Sequence, residues 1–456
     1  MDIPEQESEW TRAWAGARAL LEGAERFRVP ASAPGLELSL LDWGAFAPAD
    51  APLAVLHHAN GFCGATFAPI ARSLADRFRV IAVDARGHGD STSVPPGGDP
   101  DPYDWTVLAA DLLAAIEAIC AHTGQDRVAL GIGHSFGGRL MLRVAAQQPA
   151  RLERLLLCDP VIIPPLTPEQ RDRARGSGNP IAAATRKRRD RFPSRREAFE
   201  HCRSRGLFAD FTPECLALYV GEGMAETDSG EVRLKCDRKV EAAVFEAGAA
   251  VDPIPGLDEV TADVLFVHAA RGNFSRPFSE QVASEIQRAR VESLDAGHLF
   301  PLEAPDRVRP LVDALFEEPS RPRSSLSGPA RTRMEDRGEV QMPELPEHPE
   351  TLRPEAFAVF KDDKMGKSTL FESDRILVGL NCFEPGQEHA LHAHEGMDKV
   401  YQVLEGRGTF LLEGRELAME PGVMLIAPSG VPHGIRNDGG ERLVVSAILA
   451  PGPGKK

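Results

Sequence analysis

The sequence predicts an α/β fold followed by a small all-β barrel, and three observations carry that prediction. Through the first two thirds of the chain, short runs rich in Val, Ile and Leu alternate with amphipathic segments, the pattern of a parallel sheet covered by helices on both faces. A stretch rich in Pro, Ser, Arg and Glu, residues 317–350, then shows no apolar period and reads as a flexible linker. Beyond it, short alternating runs are separated by Gly- and Pro-containing turns, as in an antiparallel barrel or sandwich. We divide the 456 residues into a first domain at 1–316, with a cap inserted at 160–260, the linker at 317–350, and a barrel domain at 351–456.

Each element has its own justification. The strands of the first domain are PLAVLHH (52–58), FRVIAVD (78–84), RVALGIG (127–133), RLLLCD (154–159) and ADVLFVH (262–268). All are near-continuous apolar runs of the kind buried on both faces. Helices are expected at 65–76, 106–121 and 138–148, between the strands. From Asp159 to Asp263 the strand rhythm stops for too long to be a bare loop, so this insertion must carry its own helices. In the barrel domain the runs KVYQVL, TFLLEG, VMLIAP and RLVVSAIL mark the strands.

Composition narrows the class. Forty-two percent hydrophobic and 26% charged residues suit a globular chain with a large core. A net charge of −16 argues against nucleic acid or another polyanion bound across the whole surface. The acidic start MDIPEQESEW is unlike a secretory signal, and no uncharged apolar run reaches the roughly 20 residues of a membrane span. Seven cysteines form no metal spacing and leave one over in any pairing, which fits reduced thiols in the cytoplasm.

The most informative segment runs from Val128 through Gly133-His134-Ser135-Phe136-Gly137, a buried strand entering G-x-S-x-G and then the helix-like RLMLRVAAQQ. A serine on such a turn presents its hydroxyl above the sheet beside a helix N-terminus. HHANGFCG (57–64), DARGHGDS (84–91) and DAGHLFPLEAP (295–305) accompany it in order. With these four motifs the chain resembles the α/β-hydrolase superfamily over residues 30–316. The resemblance implies Ser135 as nucleophile, His298 as general base, and an oxyanion hole from the backbone N–H groups of Phe62 and Phe136. It implies no cofactor for this domain. His57, His58, His88, His134 and Asp90 read as residues that shape loops by hydrogen bonding.

The third triad member departs from the family pattern. The usual acid position, after the strand in VLFVHAARGNFS, holds Asn273, and an amide cannot stabilise an imidazolium by charge. Asp159, at the end of RLLLCD, is the expected substitute, because some α/β-hydrolases place the acid there. Asp295 lies too near His298 in sequence to serve.

Within the cap, residues 171–205 hold twelve Arg and Lys against four acids. A solvated face paired with the acidic body accounts for most of them. One arginine turned toward Ser135 would steer an anionic small-molecule substrate, and the sequence does not say which.

In the barrel domain, Gly386, His389, His392, His394, Asp398, Lys399 and Gly406, then Gly422, Pro428, Gly430, His433 and Asn437, resemble the two cupin motifs. His392 and His394 share a strand face, and with His433 they form an expected site for a divalent metal, Fe, Mn, Ni or Zn. His389, of opposite parity, is expected to point away. Lys399 stands where the family usually has a glutamate ligand, so its ammonium must turn outward, lose its proton or weaken the metal.

The leading expectation is therefore a serine hydrolase of carboxylic esters, thioesters or lactones. Two alternatives concern the cupin: a metal-dependent dioxygenase or isomerase coupled to the hydrolase, or a non-catalytic binding or homodimerisation module.

Overall fold

A computed structural model describes residues 8–98, 100–163, 179–248, 253–317, 354–372, 376–394 and 396–450. The chain separates into two compact units, Met1–Gly328 and Pro329–Lys456. The linker read at 317–350 and the basic residues Arg171, Arg173 and Arg175 lie outside the described residues, apart from Glu317.

The first unit is built on one eight-stranded sheet. Its strands are β1 (Glu25–Pro30), β2 (Glu37–Asp42), β3 (Leu53–His57), β4 (Arg79–Val83), β5 (Leu130–His134), β6 (Arg154–Cys158), β10 (Asp263–Ala269) and β11 (Ala289–Leu294). They lie in the order β1-β2-β4-β3-β5-β6-β10-β11. From β4 to β11 every pairing is parallel, while β1 and β2 are antiparallel additions. The five apolar runs read from the sequence are β3, β4, β5, β6 and β10, five of the six inner strands. Leu53 to Leu56 and Leu155 to Cys158 are fully buried, as strands covered on both faces must be.

Helices Ala68–Leu74, Trp105–Thr123 and Phe136–Gln147 occupy the intervals where amphipathic segments were expected. Trp105–Thr123 begins where the Asp104 side chain accepts from the Thr106 N–H and ends at Gly124 in the left-handed region. It is long and apolar enough to cross a membrane by composition. Its Leu108, Leu112, Ile116 and Ile119 are instead buried in the core.

The insertion between β6 and β10 carries the expected helices, Pro180–Thr185, Arg195–Arg203, Pro213–Gly223 and Arg238–Gly248. It also carries a small antiparallel sheet, in the order β7 (Arg191–Phe192), β9 (Val232–Leu234), β8 (Met224–Glu226). Strands of two or three residues are too short for a period to show in sequence.

The second unit is all antiparallel. One sheet has the order β12 (Gly366–Glu372), β13 (Leu377–Phe383), β20 (Leu443–Ala450), β15 (Asp398–Glu405), β18 (Met424–Ala427). The other has β14 (Glu388–His392), β19 (His433–Arg436), β16 (Gly408–Leu412), β17 (Arg415–Met419). Phe383, Tyr401, Phe410, Ile435 and Val445 form the core between them.

Four imidazoles hold the loops at the carboxyl ends of the first sheet, as the sequence suggested. His58 Nε2 accepts from the Ala85 N–H at 3.0 Å, and His88 Nε2 lies 3.0 Å from Asn60 Oδ1. His134 Nε2 donates to the carbonyl of His298 at 2.8 Å, and His57 Nδ1 to that of His58 at 3.2 Å. Burial pushes their pKa values down, to about 4 for His57 and about 3 for the others. Unfolded, each titrates near 6.5, so between these values the unfolded chain binds more protons. The stability they confer is complete above pH 6.5 and is lost as pH falls toward 3–4. The thermal midpoint of the first unit should fall between pH 7 and pH 4.5. Replacing His88 by Gln should flatten that slope by up to about 1.4 kcal/mol per pH unit, measurable by calorimetry against wild type. An unchanged slope would contradict the account.

Candidate active site

β5 enters the helix Phe136–Gln147 through Ser135, whose φ is +54° and ψ −118°. Such backbone is costly for a residue with a side chain and survives only where its surroundings enforce it. Here the enforcement is close packing. A Cβ on Gly133 would lie 2.5 Å from Gly138 Cα, and one on Gly137 would lie 2.4 Å from the carbonyl oxygen of His57. The glycines flanking the serine let the helix press onto the strand.

Asp159 follows β6 in the same way, with φ +40°. Its N–H donates to Val267 O at 2.7 Å and its Oδ1 accepts from the Ala269 N–H at 3.0 Å, so β10 grips both its backbone and its carboxylate. It is 1% exposed. His298 arrives on the loop after β11. Its Nδ1 lies 2.6 Å from Asp159 Oδ2 and its Nε2 lies 2.9 Å from Ser135 Oγ. Thus the structure brings Ser135, His298 and Asp159 into one hydrogen-bonded chain. Asn273 is exposed at the rim of the adjoining cavity, and Asp295 pairs with Arg271 at the surface. Neither contacts the His298 ring through a hydrogen bond among the described residues.

Ser135 and His298 open into a cavity of about 700 Å³ lined mainly by apolar side chains of the sheet loops and the cap, Phe62 and Phe136 among them. The Phe136 N–H starts the helix, where no intrahelical acceptor exists. The Phe62 N–H donates to Ala59 O at 3.2 Å. Arg188 and Glu241 also line the cavity. Sequence reasoning did not single them out, because Arg188 sits in a run of basic residues and Glu241 on an ordinary amphipathic helix.

In the second unit, His392, His394 and His433 offer nitrogens that all lie within 4.8 Å of one another. His392 Nδ1 lies 2.9 Å from Ala390 O and His433 Nδ1 lies 2.8 Å from Val431 O. Donation to these carbonyls leaves each Nε2 lone pair free, and both Nε2 atoms are buried without a hydrogen-bond partner among the described residues. That is how metal-binding imidazoles are usually oriented. His389 corrects the expectation from strand parity. Between His389 and His392 the β14 register slips, with three steps along β14 matching two along β19. This bulge turns His389 to the same side, its ring centroid 4.0 Å from that of His392. Lys399 is 5% exposed and also points inward, its Nζ 3.3 Å from His394 Nε2 and 4.7 Å from the Tyr401 ring centre. Burial, then Lys367, lowers its pKa to about 8. Asp398, of opposite parity, faces out and accepts from the Ser429 N–H.

The elbow geometry makes a direct prediction. Gly137→Ala forces a methyl group against backbone that cannot move aside, so it should destabilise the first unit by about 1–3 kcal/mol or more. Denaturant unfolding reads this. Ala tolerated at this position without loss would contradict the packing described.

Comparison with known proteins agrees with this architecture. The alpha/beta hydrolase family profile matches residues 54–311, more than half of the chain, and the cupin domain profile matches residues 379–449. The chain is 38% identical over 135 residues to a non-heme chloroperoxidase of Burkholderia pyrrocinia, covering 29% of this chain and 43% of that one. It is 35% identical over 116 residues to a bifunctional esterase/perhydrolase of Acinetobacter calcoaceticus, covering 25% and 37%. The matches therefore span less than half the length of these relatives. The crystal structure of an E-2-(acetamidomethylene)succinate hydrolase superposes with a TM-score of 0.51 at 21% identity, over 64% of this chain and 99% of that one, a likeness of fold. From the profile match and the strand order together, the chain belongs to the alpha/beta hydrolase family and carries a cupin domain after its hydrolase fold.

Proposed function

We propose that the first unit is a serine hydrolase acting on a carboxylic ester, thioester or lactone, with Ser135 as nucleophile, His298 as base and Asp159 as acid. The observation that carries this reading is the continuous chain of contacts, 2.6 Å from Asp159 to His298 and 2.9 Å from His298 to Ser135. Ser135 Oγ attacks the carbonyl carbon while its proton passes to His298 Nε2. Asp159 holds the opposite N–H and stabilises the imidazolium by its charge. The tetrahedral oxyanion receives the Phe136 N–H, and the Phe62 N–H is drawn toward it from Ala59. Collapse expels the leaving group with the proton from His298 and leaves an acyl-serine. Water, deprotonated by His298, then attacks that ester and frees Ser135.

The substrate on this reading is a small molecule, and the basic cap favours an anionic one. Seven free, buried cysteines fit a reducing compartment such as the cytoplasm.

For the cupin, the unpartnered Nε2 atoms of His392 and His433 fit a divalent ion, with His394 as third ligand. When bound, the ion would supply Lewis-acid or redox chemistry to its own ligands, and Fe, Mn, Ni and Zn all suit an imidazole donor set. In this set Lys399 stands against His394, so the amine competes with the ion for that lone pair. The alternative of a dimerisation module has one observation of its own, Met424 and Ile426 exposed on the edge strand β18.

Two outcomes test these readings. Asp159→Asn should lower kcat on an activated ester by about 10³–10⁴-fold, as loss of a triad acid does elsewhere, with the circular dichroism spectrum unchanged. Turnover near wild type in that variant would remove Asp159 from the triad. Mass-spectrometric metal analysis of the purified full chain should find about one equivalent, lost in His392→Ala and His433→Ala and held more tightly against a chelator in Lys399→Glu. Equal metal content in all four proteins would exclude the site.

A further inference from the structure

The basic island of the cap is not one surface. Among its described members, Arg186 pairs with Glu246, Arg195 with Glu226, Arg196 with Glu200 and Arg203 with Glu9, and none of these four arginines lines the cavity that holds Ser135. Arg188 behaves differently. It follows the helix Pro180–Thr185, turns inward, and is the one Arg or Lys among the described residues lining the cavity that holds Ser135 and His298. Its Nη1 donates to Glu241 Oε1 at 3.2 Å and its Nη2 lies 2.6 Å from Oε2, while its Nε has no hydrogen-bond partner among the described residues.

Glu241 ties this pair to the reaction centre. A Cβ on Gly61 would lie 2.7 Å from Glu241 Oε1, and Asn60 Nδ2 donates to the Glu241 carbonyl at 3.0 Å. Asn60 and Gly61 directly precede Phe62. The ion pair therefore stands beside the loop proposed to bind the oxyanion, in a cavity otherwise lined mainly by apolar side chains.

Stability does not account for such a pair. Taking both charges out of water costs about what their attraction returns, and apolar side chains of equal volume would pack there as well. A guanidinium, however, presents five N–H donors in a planar fork, and Glu241 does not use them all. Burial pushes the Glu241 carboxyl up, with Arg188 opposing, so its hold on a negative charge is weakened when a second carboxylate arrives.

We propose that Arg188 receives a carboxylate carried by the substrate, with Glu241 as the positioning residue that holds the guanidinium in the cavity. The preferred substrate is then an ester or thioester that bears, besides the scissile group, a second, ionised carboxyl group within reach of Arg188 inside the cavity. This rests on the serine hydrolase reading and deepens it.

The experiment uses the full chain and p-nitrophenyl monoesters of dicarboxylic acids from succinate to suberate. Each is compared with the neutral monocarboxylate ester of equal length. For the best length, wild type should favour the anionic ester in kcat/KM, and that ratio should fall by about tenfold or more in Arg188→Met, mainly through KM. Arg188→Lys should keep an intermediate ratio, since it retains the charge without the fork. Arg188→Met leaves Glu241 buried and unpaired, so Arg188→Met/Glu241→Gln is measured beside it and should show the same loss. A wild-type ratio at or below one for every length overturns the proposal, as does a ratio that neither variant changes. Fluorophosphonate labelling of wild type but not of Ser135→Ala, run in parallel, tests the hydrolase reading itself. If labelling fails, that reading falls and takes this proposal with it; if labelling succeeds without anion preference, only the proposal falls.

Discussion

The register between two neighbouring strands is the constraint on which the proposed hydrolase site depends. β5 and β6 run parallel, and His134 is paired with Cys158. Ser135 and Asp159 are the next residue on each strand, so the sheet delivers the proposed nucleophile and acid side by side at the same height. They are also the only non-glycine residues with positive φ among the described residues. Each chain has to turn sharply out of the sheet at its last paired residue, and that turn aims the side chain upward. The strain is paid by the packing beneath, where Gly133, Gly137 and Gly138 let the helix Phe136–Gln147 approach the strand.

This register also explains how a carboxylate at the end of β6 reaches His298. β6 lies between β5 and β10, so a carboxylate at its end stands next to the serine strand and beneath the His298 loop. Residues after β10 then become its support. Val267 and Ala269 hold the Asp159 backbone and carboxylate, and a side chain on Gly272 would strike Asp159 Oδ2 at 2.6 Å. Asn273 stands at the cavity rim. Around this centre the four buried imidazoles stay neutral, so they can fix loops by hydrogen bonds without adding charge next to His298.

The cupin shows the opposite relation between pattern and placement. Alternation along β14 assigns His389 to the far face, yet one extra residue between His389 and His392 reverses it. A period of two holds only while the ladder is regular. For Lys399 the parity is right and the chemistry unusual. The strand turns its ammonium inward because Tyr401 and the imidazoles give it a π face and a lone pair to meet.

By itself the sequence determined the fold class, an α/β-hydrolase sheet followed by a cupin, and nominated Ser135, His298, Asp159, His392, His394 and His433 as candidate site residues. These are legible because buried parallel strands leave continuous apolar runs, and because a strand-to-helix turn with flanking glycines tolerates few alternatives. What only the tertiary structure decided is which side chains meet across long separations. Asp159 in place of Asn273 as the partner of His298, Arg188 alone among its described basic neighbours facing the cavity, Glu241 beside Gly61, and His389 turned inward all follow from register, bulges and packing. Those are relations between segments far apart in the chain, and local composition carries no record of them.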